Sequence, residues 1–380
     1  MRNIFYVLFY IVVTSPYLHS KSISKSFHLK FFSLLSSSNL HENIILSPIS
    51  LYQALSLLAN GARGSTQSEI ITSLNHLDII GVNYNNMEII KVLKQTLSLA
   101  NAILSKFIPS DSFLQMTKKY EAYAGELTSV EQVNKWCEEK TNGLIKDIIN
   151  DISTVELIIL NAVSFKGEWY HKFKSKDTYK MQFNNEDNSQ STVQMMKQIH
   201  TCNYYEDNTV QIIEMEYDEE NVSAVIILPN KNINLNQYIN EDFSYDLLWK
   251  YNKELKPCDV EIHLPKFSIE SKFELNEQMK KLGIKSAFDP SNADFYNITP
   301  HGGLYVSEVI QKAFIKVDEE GTEAAATTAV IMVRGIDIKF IPEKTMVVDR
   351  PFLFMIKHKK LEKEMLFIGK IVHLNNVSDE

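Results

Sequence analysis

The chain has 380 residues, 44% of them apolar and 23% charged, which is globular composition and excludes collagen-like or extended disordered architecture. Its 39 basic residues are outnumbered by 47 acidic ones, for a net charge of −8, so it lacks the basic footprint of a nucleic-acid binder. Three cysteines are too few for a disulfide scaffold.

Residues 1–20 have the pattern of a secretory signal peptide. Arg2 supplies the positive start, Ile4 to Val13 a short apolar run, and Ser15, Ser20 and Ser22 small residues near a cut. The run is too short for a stable membrane span, and no other stretch is long and apolar enough for one. Residues 21–380 are therefore expected to form a single secreted domain. Asn221, Asn297 and Asn376 each open an Asn-x-Ser/Thr triplet, the glycosylation acceptor pattern of a secreted chain, and Pro300 weakens the second. Cys137, Cys202 and Cys258 are far apart in sequence and form no C-x-x-C. An odd count leaves at least one thiol free or paired between chains, and buried inert cysteines are the plain expectation.

In chain order, Ile23, Phe27, Phe31 and Leu34 recur at helical spacing, up to the cluster Ser36 to Asn39. Asn43 to Leu46 reads as a strand and Ile49 to Leu58 as a buried helix capped by Asn60-Gly61. Helical patterns follow over 85–107, through Ile90, Val92, Leu93 and Leu97, and over Val130 to Ile149, broken at Asn142-Gly143. Leu157 to Phe165 is a continuous apolar run, hence a central strand. Val210 to Glu216 and Val222 to Leu228 read as paired strands. Val260 to Leu264, Tyr305 to Val317, Phe352 to Ile356 and Met365 to Val372 add strands, with a short helix over Leu275 to Leu282. Helices lead and strands follow without βαβ alternation, which predicts an α+β fold with large sheets.

No sequence motif announces an active site. G-x-S-x-G, H-E-x-x-H, Walker and G-x-G-x-x-G patterns are all missing. His263, inside an apolar strand, reads as a satisfied core residue, and Glu319-Glu320 as a solvated turn. No metal or cofactor is expected, although a catalytic triad scattered along the chain is compatible with the sequence.

The informative stretch starts at Gly321. Thr322, Ala324, Ala326 and Thr328 form one alternate set, all small, while Glu323, Ala325 and Thr327 form the other. Period two sends the sets to opposite faces of a strand. The β-prone run Ala329 to Val333 follows without Pro, and Arg334 ends it. Such a segment can live as a loop or as a central strand.

Glu319 to Ala326 resembles the hinge of the reactive-centre loop of serpins. Asn43 to Ser50, Asn161 to Trp169, Leu264 to Ser268, Leu282 to Ile284 with Phe288, Ala293 to Phe295, Asp349 to Phe354 and Leu366 to Lys370 resemble other family segments, in order, from about residue 23 to 372. The leader, compact length and Asn/Ile/Lys-rich style are similar to secreted poxvirus serpins.

The resemblance implies a serpin fold with three β-sheets, eight to nine helices and an exposed reactive-centre loop over about 319–345. It implies a monomeric suicide-substrate inhibitor, not an enzyme. The target serine protease would be held as a covalent acyl complex when the cleaved loop inserts into the large sheet. The hinge would be Glu320, Gly321, Thr322, Glu323, Ala324, Ala325 and Ala326. The favoured bait bond is Arg334-Gly335, whose arginine suits a trypsin-like pocket. The alternative is Gly335-Ile336, and Lys339 is a weaker basic candidate. Ser47, Ser50 and Asn161 would form the polar shutter beneath the sheet, with Gln311 where the family usually has His. Region 70–100 reads as shortened, and Lys91, Lys94 and Lys106 form no basic cluster, so glycosaminoglycan binding is not expected. A non-inhibitory carrier or a secreted decoy is the competing reading.

Overall fold

A computed structural model describes residues 24–93, 99–322, 341–361 and 365–376. The proposed signal peptide, Glu323 to Ala326, and the bait residues Arg334, Gly335 and Ile336 lie outside these residues.

The described helices are α1 (Ser24–Ser38), α2 (Pro48–Gly61), α3 (Gly64–Ser73), α4 (Ile79–Leu93), α5 (Asp111–Lys119), α6 (Val130–Lys140), α7 (Leu235–Glu241), α8 (Tyr245–Glu254) and α9 (Asn276–Lys281). The described strands are β1 (Ile44–Leu46), β2 (Leu99–Ser105), β3 (Tyr123–Glu126), β4 (Leu157–Ser164), β5 (Gly167–Glu168), β6 (Tyr179–Asn184), β7 (Gln190–Glu206) and β8 (Val210–Glu216). They continue with β9 (Val222–Pro229), β10 (Lys256–Pro265), β11 (Phe267–Glu274), β12 (Val306–Val317), β13 (Gly321–Thr322), β14 (Lys344–Val347), β15 (Phe352–His358) and β16 (Met365–Ile371). None of the described helices is long and apolar enough to cross a membrane.

Seven strands form one sheet in the order β3-β2-β4-β12-β13-β5, with β11 on the other edge of β12. Nine form the second network, β1-β16-β15-β9-β8-β7-β10-β14 with β6 on β7. Two of the three sheets implied by the resemblance are thus continuous. The 17-residue β7 pairs β6 through its first residues, β10 through Met195 to Tyr204, and β8 through its last four.

Strand β4 lies at the centre because it is apolar on both faces. Leu157, Ile159 and Val163 enter the main core, while Ile158, Leu160 and Ala162 enter a second core under α6, with Val133 and Cys137. Burying both faces suits a central strand and not an edge.

Several elements depart from the expected ones. The helical pattern over 85–107 divides: α4 ends at Leu93 and Leu99–Ser105 is strand β2, wedged between β3 and β4. Its alanines alternate with Asn101 and Ile103, a period-two pattern that small side chains conceal. Asn60 and Gly61 do not cap α2 but lie within it. A Cβ on Gly61 would sit 2.4 Å from Ile298 Cγ1, so this glycine permits close packing. Helix α6 stops at Lys140 rather than reaching Ile149. Helix α4 has 15 residues, so region 70–100 keeps a full helix; Lys91 is its only basic residue.

Candidate functional site

The geometry that matters lies along the seam between β4 and β12. These strands run parallel, in register from Leu157 opposite Val306 to Ser164 opposite Phe314. Past that point they separate, and β13 occupies the gap. Thr322 pairs with Val317 of β12 on one side and Gly167 of β5 on the other, antiparallel to both. The first residues of the hinge are therefore already a short strand at the top of the seam.

A dense clamp holds them there. Gly321 approaches β5 so closely that a Cβ would lie 2.1 Å from the Gly167 carbonyl oxygen, which only glycine avoids. Trp169 N–H donates to the Glu320 carbonyl at 2.9 Å, Phe173 N–H to Glu319 O at 3.0 Å, and Trp169 Nε1 to Asp318 O at 2.9 Å. The Trp169 indole stacks on Tyr217 with centroids 4.5 Å apart, and Tyr217 shares a 2.7 Å hydrogen bond with Thr322 Oγ1. Thr322 is wholly buried, so its small hydroxyl is satisfied rather than stranded.

Glu319 and Glu320 are not the solvated turn expected of them. Lys266 reaches Glu319 at 2.7 Å and Thr178 donates to it at 2.8 Å, while Lys172 bridges Glu320 and Glu168. Burial pushes the Glu319 carboxyl up, but the hydrogen bonds from Lys266 and Thr178 outweigh it and leave it below the ordinary carboxylate range. Distant basic partners convert a local charge pair into a buried anchor.

Lower on the seam, three polar side chains form one row. Asn101 of β2, Asn161 of β4 and Gln311 of β12 are cross-strand partners. Each occupies the alternate position whose neighbours enter the main core, so all three point beneath the sheet, toward the start of α2. Asn161 Nδ2 donates to Ser50 Oγ and Asn101 Oδ1, and Asn161 Oδ1 accepts from Gln311 Nε2 at 2.5 Å. Gln311 also grips the backbone of Ser47, accepting from its N–H at 3.2 Å and donating to its carbonyl at 3.0 Å. Ser47 Oγ caps α2 by accepting from Ser50 N–H, beside Pro48 at the first helical turn.

The expected shutter residues Ser47, Ser50, Asn161 and Gln311 are thus in one network. Gln311 supplies the donor and acceptor pair that lets it close. Asn101 completes the row and was missed because its segment reads as helix; it is a lone polar residue between two alanines. Tyr217 was missed as well, being read only as the turn between β8 and β9.

The remaining expected residues fall elsewhere. His263 is a satisfied core residue, bonded to Tyr179 OH at 2.6 Å and Glu261 at 2.8 Å. Thr345 lies within β14, so the loop ends before Lys344. Asn297 is a poor acceptor for a glycan: its Nδ2 donates to the Asn60 and Ala62 carbonyls and Thr299 is wholly buried. Asn376 is exposed, with Oδ1 accepting from Thr192 N–H; Asn221 is partly exposed at a positive φ of 71°. Among the described residues, no cluster of three or more His, Cys, Asp or Glu could hold a metal ion.

A sheet with an inserted hinge, a polar row across its seam and a loop leading from one sheet to the other defines a serpin-type protein. The serpin (serine protease inhibitor) family pattern matches residues 22–374, and the chain belongs to that family. It is 32% identical to a leukocyte elastase inhibitor of Xenopus tropicalis over 371 residues, 90% of this chain and 96% of the relative. It is 30% identical to human Serpin B11, covering 91% and 97% of the two chains. Among solved structures, the thermophilic serpin tengpin in its native state superposes with a TM-score of 0.83 at 31% identity, covering 95% of each chain. Human thyroxine-binding globulin complexed with thyroxine superposes at 0.85 with 25% identity, covering 95% of this chain and all of that one.

Proposed function

We propose that this serpin is a secreted suicide-substrate inhibitor of trypsin-like serine proteases, with Arg334-Gly335 as its bait bond. The observation that carries the reading is the register of β13. Continued downward from Thr322, the loop would place Ala326 opposite Ala313 and Val163, and Thr328 opposite Gln311 and Asn161. Val333 would come opposite Val306, the first residue of β12, so Arg334 is the first residue past the ladder. The hinge and the seam agree in length and in register.

The chemistry follows from that geometry. The protease serine oxygen adds to the Arg334 carbonyl carbon, and the bond to the Gly335 nitrogen breaks as that nitrogen takes a proton. Arg334 is left as an ester on the protease. Residues 323–333 then leave the loop and enter the seam, drawing the esterified protease with them. Insertion replaces one parallel ladder by two antiparallel ones, which gains a strand's worth of hydrogen bonds and the better pairing geometry. The core-facing positions are Thr322, Ala324, Ala326 and Thr328, all small, so entry meets no bulky side chain. Thr328 would enter the polar row with a hydroxyl able to meet the groups that Asn161 and Gln311 release. Serpin loop insertion is itself an established instance of strand addition.

Secretion rests on the leader pattern of residues 1–20, and a viral origin on the composition and compact length described above. A carrier role is the second reading, favoured by the likeness to thyroxine-binding globulin; the small hinge residues argue for inhibition. The test mixes the protein with a panel of Arg-specific serine proteases and looks for a band that survives denaturation. The expected result is a covalent complex, abolished in Arg334→Ala, and a released fragment starting at Gly335. A fragment starting at Ile336 moves the bait bond by one residue. Cleavage without any stable complex rejects inhibition.

A further inference from the structure

Cys202 and Cys258 are 56 positions apart in sequence but sit directly opposite each other on the antiparallel pair β7 and β10. Side chains of directly opposed residues leave the sheet on the same face. Which kind of pair they form can be read from the neighbours. Asp259 turns its carbonyl away from β7, to accept from Glu343 N–H at 2.8 Å beside β14. Pro257 has no N–H to offer. Cys258, between them, is therefore the residue whose N–H and carbonyl face Cys202. Residues in such a hydrogen-bonded pair have Cα atoms about 5.5 Å apart. That lies in the centre of the range disulfides span, about 4.4–6.8 Å.

We propose that Cys202 and Cys258 are a site of covalent modification: a cross-strand disulfide joining β7 to β10, with Cys137 left as the free thiol. The assignment accounts for the odd cysteine count. Cys137 is fully buried in the second core under α6, on the far side of the large sheet, and has no cysteine neighbour. The two partners are reachable by small reagents. Cys202 lines an open cleft of about 180 Å³ with His200, Asn203, Glu214 and Pro257, and Cys258 is only half buried, 3.9 Å from Glu343 Oε2.

The oxidant is a small-molecule disulfide such as glutathione disulfide. The Cys258 thiolate attacks it, expelling one glutathione thiolate and leaving a mixed disulfide. The Cys202 thiolate then attacks the Cys258 sulfur and expels the second. One S–S bond forms in the protein and one breaks in the oxidant; two electrons pass to glutathione, and the two cysteine protons end on its two thiols.

The surroundings make this bond a staple rather than a fast switch. Burial pushes the Cys202 thiol up to about 12, and burial with the nearby Glu343 carboxylate raises Cys258, so thiolate is scarce at neutral pH. Slow formation has a slow reverse, because a reductant must reach the same crowded sulfurs. The staple lies where it constrains the loop's far anchor. β10 carries β14 on its other edge, in register from Val260 opposite Lys344 to His263 opposite Val347. It also closes a long stretch of chain, from β8 through α8, in the unfolded state, which is where a disulfide acts most.

The test is a non-reducing peptide map of the full chain after incubation with glutathione disulfide at pH 8.5, unfolded in iodoacetamide. The expected species joins the Cys202 and Cys258 segments, with the intact mass about 2 Da below the reduced form and Cys137 alkylated. Cys137→Ser keeps the linkage and Cys202→Ser loses it. Reduction lowers the wild-type Tm by a few degrees and leaves that of the Cys202→Val/Cys258→Val double variant unchanged. Alkylation of all three sulfurs after that incubation overturns the proposal, as does a linkage through Cys137 or between two chains.

Discussion

The top and the middle of one seam are held shut in opposite ways. At the top, β13 already lies between β5 and β12, and the clamp of Trp169, Tyr217, Lys266 and Lys172 holds inserted backbone in place. In the middle, β4 and β12 pair directly, and the row Asn101, Asn161 and Gln311 ties them to each other and to α2. The clamp favours the first step of insertion; the row resists the rest. A buried side-chain network suits the second task, because opening it strands several polar groups at once and so sets a threshold. The lesson is that the native state is primed at one end and latched further down.

Placing a charge at the primed end should have the largest effect. Thr322→Arg puts a guanidinium where the native side chain is wholly buried, at about 3 kcal/mol or more against insertion. The covalent protease complex should disappear while cleavage of the loop continues; retention of the complex would show that the clamp does not govern entry. Asn161→Leu breaks the latch instead. It strands Ser50, Asn101 and Gln311, and should lower stability by about 3 kcal/mol in denaturant unfolding, at about 1–3 kcal/mol per unsatisfied group. A loss below about 0.5 kcal/mol would sink the latch, since surface changes reach that much. Gly321→Ala is milder. Its Cβ collides with the Gly167 carbonyl, so the hinge should back out of the sheet at about 1–3 kcal/mol, read as faster proteolysis between Glu320 and Glu323.

The two regions differed equally in how far they could be read beforehand. The hinge was legible because its alternation of small residues is local and its family pattern specific. β4 and β12 were legible because central strands are long and apolar. The row was only half legible. Asn161 and Gln311 stand in obvious strands, but Asn101 sits among alanines in a segment whose upstream apolar residues have helical spacing. Its role depends on register with β4, which no local pattern encodes. The anchoring of Glu319 and Glu320 was misread for the same reason: Lys266 and Lys172 come from 53 and 148 positions upstream, and sequence shows only an acidic turn. Cys202 and Cys258 are scattered in sequence and adjacent only once β7 and β10 are in register.

Acid should separate the two regions most finely. The latch holds no titratable group, because Gln311 stands where the family usually has histidine; the clamp is built beside one. His200 of β7 packs against His171 at 4.9 Å, within the segment 167–173 that grips Glu319 and Glu320. Burial, reinforced by His171, lowers the His200 value from 6.5 to about 4. The unfolded chain therefore binds the proton between pH 6.5 and 4 while the folded chain refuses it. Stability from this group is fully present above pH 6.5 and is lost progressively as pH falls toward 4. Urea midpoints measured across that window should fall more steeply for the wild type than for His200→Gln, and proteolysis at the hinge should accelerate with them. Superimposable pH profiles for the two proteins would mean that the clamp is as indifferent to acid as the latch, and that the contrast between them is one of hydrogen bonding alone.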